Sequence, residues 1–548
     1  MKQQLIFWFF LMAAAASAQP SVSGATSEDI RSIRGELEEL KTMENRIQLR
    51  MRALEERLDN LDGGAATPVA DTPPPSLLES IPAAAVIPGQ LTASAPAPPA
   101  EIEPLPTGDV SSRELWSVPL GSEGNLRLID IALNFTGAGG WSTQGGEGLQ
   151  QLEGGGHDPN VRGFTLQDLE LYIGGAVDPY FNAQSTLSFS VNSEGETNFE
   201  IEEGFATSQQ LPFGIDRYGV GLQAGWFFAH FGRWNQQHVH NWSWVDQPIV
   251  TTRFFGPDNL RQAGINLSWL VPFVPWYAHF DFGIQNSVGE TMYSFGANDE
   301  IGAITEGGGG HGHLDMGLPG GRPFVTNDVN NLADMTYELR FANGFDISDS
   351  WSTEIGASAA LGPNPTSRNA RTWIAGVDWT AKWRPTPSDR GWPYVVLQAE
   401  AMWRNYEAAA FDCAGGGYEC DGGWLPEATL KGFGVYGQAL WGFYRGWSVG
   451  LRGEYAKGRG GPSYELHEKG NPITGDEEFH LESVAVRDDP YRSERWRISP
   501  LLTYQPTHFS KIALQYNYDH TTFLSRKNDH TVWLQLQFTL GSEPAHRY

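Results

Sequence analysis

No stretch beyond the N-terminal region approaches the roughly 18 to 20 consecutive apolar residues that a membrane-crossing helix needs, so a helical membrane protein is excluded. Basic charge is scarce as well: 37 Lys and Arg face 65 Asp and Glu, for a formal net charge of −28. Phosphate binding requires a basic surface, so no nucleic-acid partner is expected, and cations are favoured instead. Cysteine is confined to Cys413 and Cys420 in "CAGGGYEC". In an exported chain such a pair most simply forms a local disulfide that pins a loop tip. A two-thiolate metal site is the other reading, but no third or fourth ligand is adjacent. Also missing are a Ser/His/Asp nucleophile elbow, an HExxH helix and a glycine-rich phosphate loop, and no enzyme is expected.

Residues 1–18 carry the marks of a secretory signal: Lys2, the apolar run "LIFWFFLMAAAA" and the small residues Ala16, Ser17 and Ala18. No Cys follows them, so a lipoprotein anchor is not expected. Segment 28–62 then repeats a heptad, with Ile30, Leu37, Glu44, Met51 and Leu58 on one seam and Ile33, Leu40, Ile47, Leu54 and Leu61 on the other. Five heptads predict a coiled coil, and Ile at both seam positions leans toward three strands. An amphipathic helix lying on another domain is the alternative. Segment 63–113 is a Pro/Ala-rich, extended spacer.

From residue 114 to 548 strand-like runs alternate with Gly, Asn and Asp breaks. In "TWIAGVDWTAKW", Trp373, Val377 and Trp379 fall on one face and Asp378, Thr380 and Lys382 on the other; "TVWLQLQFTL" repeats the scheme. Period alone fits a soluble sandwich equally well, and loop order separates the two. Roughly sixteen strands are predicted, from one near 125–135 to one near 529–540. Connections after even-numbered strands are mostly short ("AVDP", "YRG", "QPTH"), while the long ones, 136–163, 230–261, 287–332, 406–431 and 457–493, all follow odd-numbered strands. Short turns on one rim, long loops on the other and 64 Gly with 67 aromatic residues (29 Phe, 20 Trp, 18 Tyr) predict an all-β fold: a transmembrane antiparallel β-barrel behind a coiled-coil helix and a linker.

Three stretches, "LQDLELYIGGAVDPYFNAQSTLSFS", "EEGFATSQQLPFGI" and "LQAGWFFAHFGRWNQQHVHNWSWVDQPIV", together with the terminal pattern from Leu540 to Tyr548, resemble a family of bacterial outer-membrane proteins known as zinc-regulated TonB-dependent outer-membrane receptors. The resemblance implies a barrel, residence in the outer membrane and a link to zinc supply. An energy-coupled receptor would carry a large plug domain and a wider barrel. Here a coiled coil and a proline-rich spacer stand in that place, an order similar to trimeric porins with periplasmic extensions. A passive channel is therefore expected, with a metal or siderophore receptor and a structural outer-membrane tether as alternatives. Its expected partners are outer-membrane lipid, two further copies joined through the periplasmic coiled coil, and the cell wall.

Within that frame "GRWNQQHVHNW" falls on the third external loop, a long one and the one expected to fold into the lumen. Arg233, His238, His240 and Asp246 are candidates for lining a constriction, where rings of charge set ion preference. Two other readings stay open: the Trp residues anchor the loop while the histidines bond backbone groups, or His238 and His240 ligate a metal. Asp168 and Glu170, then Glu200 and Glu202, alternate on lumen-facing positions and would make the pore wall acidic. "GGGGHGHLD" offers His311, His313 and Asp315 for transient zinc capture, against a plain solvated loop. No tightly held cofactor is expected.

Overall fold

The computed structural model describes residues 117–119, 125–127, 129–296 and 318–541, apart from 194, 326–327, 386–387, 389–390, 416–417 and 471–476. The signal, coiled-coil and linker segments, with His311, His313 and Asp315, lie outside the described residues.

Sixteen antiparallel strands close into one barrel. They are β1 (Asp130–Ser142), β2 (Gly163–Ala176), β3 (Phe181–Val191), β4 (Thr197–Ser208), β5 (Val220–Phe228), β6 (Arg261–Leu270), β7 (Tyr277–Gln285) and β8 (Thr336–Ser348). The second half comprises β9 (Trp351–Pro363), β10 (Arg371–Trp383), β11 (Tyr394–Ala408), β12 (Ala428–Tyr444), β13 (Trp447–Arg459), β14 (Arg495–Thr507), β15 (Ser510–Thr521) and β16 (Asn528–Gly541). Closure comes from β16 pairing with β1, Thr531 opposite Ser142 through Gly541 opposite Ala132. A closed ladder leaves no strand edge at the seam.

Strand alternation sets the two faces. Along β16, Val532, Leu534, Leu536, Phe538 and Leu540 are exposed on the outside, while Thr531, Gln535 and Gln537 are buried inside. On β10, Trp373, Val377 and Trp379 face out and Asp378 and Thr380 face in. A soluble barrel would reverse this, so the outward belt is suited to hydrocarbon. One rim has the tight connections 177–180, 271–276, 349–350, 445–446 and 508–509, with 209–219 and 384–393 longer. Aromatic pairs gather there, including Trp351 with Trp383 and Trp447 with Tyr504, as at a membrane interface. The opposite rim has the long connections 143–162, 229–260, 286–335, 409–427 and 460–494, and three short ones.

The first strand departs from expectation, starting at Asp130 and running to Ser142 instead of spanning 125–135. Its second half, "GAGGWS", reads as a turn because glycines show no alternation. In the wall, the absent side chain at Gly140 makes room for Trp533, whose ring would lie 2.2 Å from a Cβ there.

The 229–260 connection turns into the barrel and packs against the wall on several sides; we call it the inward loop. Its Phe231, Trp234, Val239, Trp242, Val250 and Phe254 form an apolar cluster with Ile374 on β10, Met402 on β11 and Tyr436 on β12. Trp244 and Val245 form a second cluster with Leu501, Ala513 and Trp533. The wall yields where the loop presses: a Cβ at Gly434 would stand 2.4 Å from Val250. A short helix inside the loop, α2 (Ile249–Phe255; α1 is Glu147–Leu152), has every residue buried. The Ile249 amide donates to Glu454 at 2.7 Å, and Arg404 donates to the Arg253 carbonyl at 2.8 Å.

Cys413 and Cys420 are joined by a disulfide, with Cα atoms 6.0 Å apart. Cys413 is buried with Leu425, Tyr464 and Leu481, and Tyr418–Cys420 pairs in parallel with Phe479–Leu481. This fastens the 409–427 connection to the 460–494 connection.

Candidate functional site

The inward loop meets two chemically distinct walls. On the first, β4 is bulged: Thr186 pairs with Glu203 and Leu187 with Ile201, so Glu202 is an extra residue. A bulge re-aims side chains, and here it turns both Glu202 and Glu203 inward. His238 fits between them, its Nδ1 2.9 Å from Glu202 Oε2 and its Nε2 3.0 Å from Glu203 Oε2. Both ring nitrogens must donate to satisfy two carboxylates, which is the imidazolium form. Burial works against that charge, but Glu202 and Glu170 outweigh it and hold the His238 pKa well above its ordinary value.

His240 Nδ1 lies 2.7 Å from Glu170 Oε2, and its ring stacks on His238 with centroids 5.8 Å apart. The two histidines therefore share Glu170, whose Oε2 is also 3.9 Å from His238 Nδ1. Oxygens of Glu170 and Glu202 and a nitrogen of His238 lie within 4.8 Å of one another; no group of three or more metal donors found among the described residues includes His240. Glu203, holding the far nitrogen of His238, would orient the ring for a metal on the near side.

Just beside this cluster, Arg261 bonds Glu200 and lies over the Phe228 ring at 5.5 Å. Asp168 accepts from Ser188 at 2.6 Å. His230 bridges Asp281 at 2.9 Å and Gln223 at 3.0 Å. A second bulge, on β2 where Thr136 pairs with Asp168 and Gly137 with Leu166, makes Gln167 the extra residue and lets Gln167 and Asp168 both point inward.

Asp246 belongs to the second wall, β13–β15, which β16 and β1 separate from β2. Arg452 on β13 bonds one of its oxygens, Arg497 on β14 reaches the other at 2.7 Å, and Gln515 and Asn517 on β15 donate at 2.8 and 2.7 Å. Burial alone would raise this carboxyl, yet the two guanidiniums hold its pKa at about 2. Arg497 also bonds Glu153 and Asp519, and Arg452 bonds Glu454 at 2.7 Å. Gln167 ties the walls to the loop by donating to the His157 and Val245 carbonyls.

Arg233 sits apart, 3.3 Å from Glu354, in a region where Glu354 and Lys382 remain half-buried. Its neighbour Gly232 needs φ of 60° and close approach to Glu400, which no side chain would permit.

Of the residues expected to line the pore, Asp168, Glu170, Glu200, Glu202, His238, His240 and Asp246 lie between the inward loop and the wall. Their environment differs from the expected one: Asp168, Glu170, Glu202, His238 and Asp246 are buried. They form the seat of the inward loop and do not edge an open, water-filled lumen. Glu203, His157, Asp258, Asp281 and the arginines 261, 452 and 497 were not foreseen. The bulge hides Glu203 from any period-two pattern, and each of the others meets its partner only through the folded wall.

No family model matches the chain, so none ties it to the zinc-regulated receptors. An uncharacterized protein of Aquifex aeolicus is 27% identical over 456 residues, covering 78% of this chain and 81% of that protein. Among solved structures, the outer membrane channel DcaP of Acinetobacter baumannii is similar at 9% identity and a TM-score of 0.42, covering 75% of this chain and 97% of that one. The outer membrane protein OmpT of Vibrio cholerae is similar at 6% identity and a TM-score of 0.38, covering 75% and 97%. An anion-selective porin from Comamonas acidovorans is similar at 9% and 0.37, covering 75% and 98%.

Proposed function

We propose that this chain is an outer-membrane, porin-like barrel that passes small solutes by diffusion, prefers cations, and has its aperture set by the inward loop. The observation that carries the reading is the division of interior charge inside an apolar-skinned barrel. On the β2–β4 side, Asp168, Glu170, Glu200, Glu202 and Glu203 outnumber the positive groups that meet them, Arg261 and the His238 imidazolium. Although most of these carboxylates are buried under the loop and do not edge the lumen, their excess of negative charge gives the interior a field that raises local cation concentration and repels anions. The half-burial of Arg233, Glu354 and Lys382 supports a solute path on their side of the loop. Zinc is a candidate cargo, resting transiently where Glu170, Glu202 and His238 converge, a nitrogen and two carboxylates that suit that ion. The coiled coil would join three such barrels and extend into the periplasm.

Single-channel recording in a planar bilayer under a salt gradient tests this reading. Cation-selective steps, blocked by micromolar zinc in the native chain but not in a His238→Ala/His240→Ala variant, are expected. Anion selectivity would overturn the preference. One observation favours a second reading, a closed structural tether: Trp234, Trp242 and Trp244 are fully buried between loop and wall. A membrane that stays silent at every voltage would select it.

A further inference from the structure

We infer that the barrel holds a second, structural divalent-cation site at His157, Glu200 and Asp258, separate from the His238 cluster and independent of whether solutes diffuse through the pore. One ligand atom from each of the three lies within 4.8 Å of the others. They come from three separate parts of the chain: the 143–162 connection, β4 and the end of the inward loop. An ion bound there would fasten both connections to the wall.

The histidine supplies the observation that acidic residues alone would not. Its Nδ1 lies 2.9 Å from the Gln167 carbonyl, which can only accept, so Nδ1 carries the proton of that bond. In turn the Gln167 side chain donates to the His157 carbonyl at 2.7 Å, so one residue grips ring and backbone together. A ring fixed in this way presents its other nitrogen as a ligand, the arrangement found behind metal-bound histidines. Nε2 is that nitrogen: His157 is 4% exposed, and Nε2 has no hydrogen-bond partner among the described residues.

Charge and access agree. Glu200 and Asp258 bring two negative charges, Arg261 returns one through Glu200, and buried Asp168 adds to the local field. A dication balances this set better than a monovalent ion. One nitrogen with two carboxylates suits a borderline ion such as Zn2+ or Mn2+ and disfavours Ca2+, which takes oxygen ligands only. The ladder between β4 and β5 ends at Gly204 opposite Trp226, although β4 continues to Thr197. In the gap lies a cavity of about 340 Å³, bordered by Asn198, Phe199, Ile201, Trp226, Arg261 and Glu290, with Glu200 at its edge. It reaches the site at one ligand, Glu200, and at its partner Arg261.

The full chain, purified in detergent and stripped with chelator, is dialysed against Zn2+, and bound metal is counted. Co2+ loading then reports coordination through its visible absorption. Loss of one equivalent in His157→Ala, with a weaker Co2+ band in Asp258→Asn and no loss of that equivalent in His238→Ala, is expected. Zn2+ should also raise the melting temperature of the native chain and not that of His157→Ala. Heat-modified migration on gels shows whether each variant keeps its barrel; should His157→Ala fail to fold, Asp258→Asn carries the count. Native zinc stoichiometry in a folded His157→Ala or Asp258→Asn variant would overturn the site, as would no bound zinc in the native chain. Conductance recorded on the same variants keeps the two ideas apart, since metal binding with a silent bilayer would sink the diffusion reading alone.

Discussion

On the β13–β15 side the inward loop meets arginines; on the β2–β4 side it meets carboxylates. Asp246 accepts from two guanidiniums and two amides, while His238 and His240 donate hydrogen bonds to Glu202, Glu203 and Glu170. The difference lies in what each wall can do when its partner is removed. An arginine cannot shed its charge, so a buried guanidinium without a carboxylate stays costly. A carboxylate can take up a proton and become a neutral hydrogen-bonding group. The arginine wall is therefore the fixed end of the loop and the acid wall the adjustable end.

Removing the anchor at the fixed end should have the largest effect. Asp246→Ala leaves Arg452 and Arg497 with Glu454, Glu153 and Asp519 as remaining partners. Breaking a buried pair costs roughly 3 to 5 kcal/mol, and these residual partners place the variant near the lower end. Denaturant unfolding should show that loss, and protease should cleave within 229–260 where the native chain resists. Wild-type resistance in the variant would mean the apolar clusters, and not the ion pairs, hold the loop.

Cutting the adjustable end should cost less. His238→Ala/His240→Ala strands three carboxylates, each able to neutralise itself, so about 1 to 2 kcal/mol is expected in the same unfolding experiment. A loss equal to that of Asp246→Ala would erase the distinction between the walls.

The sequence shows this division only in outline. Alternation in "TVWLQLQFTL" identifies β16 and its two faces, because side chains of opposite polarity mark every step. The sorting of long and short connections gives sixteen strands and places 229–260 as an internal loop. Glycines in 137–140 hide half of β1, since a residue without a side chain carries no polarity. Two bulges defeat alternation at Gln167 and Glu203. The arginine wall was not foreseen at all: Asp246 and Arg452 are separated by 206 positions, and nothing local to either marks the other.

Acid gives the finest separation of the two ends. The Asp246 carboxyl titrates at about 2 in the folded chain against an ordinary value of 3.8. A depressed folded-state pKa adds stability above the unfolded value, and that stability is lost only as pH falls through the folded one. The shift corresponds to a contribution on the order of 2 kcal/mol, all of it present at pH 5 and above. Between pH 7 and pH 5 the arginine end should therefore not change. Fluorescence of Trp244, buried beside that wall with its indole N–H on the Ser499 carbonyl, is read as the difference between the native chain and a Trp244→Phe variant, because the sequence holds 20 tryptophans. A flat signal down to about pH 4, then a change as Asp246 protonates below it, is expected. A transition above pH 7, where His238 would give up its charge, would show that the histidine end governs the loop as a whole, and that the two walls act as one coupled latch.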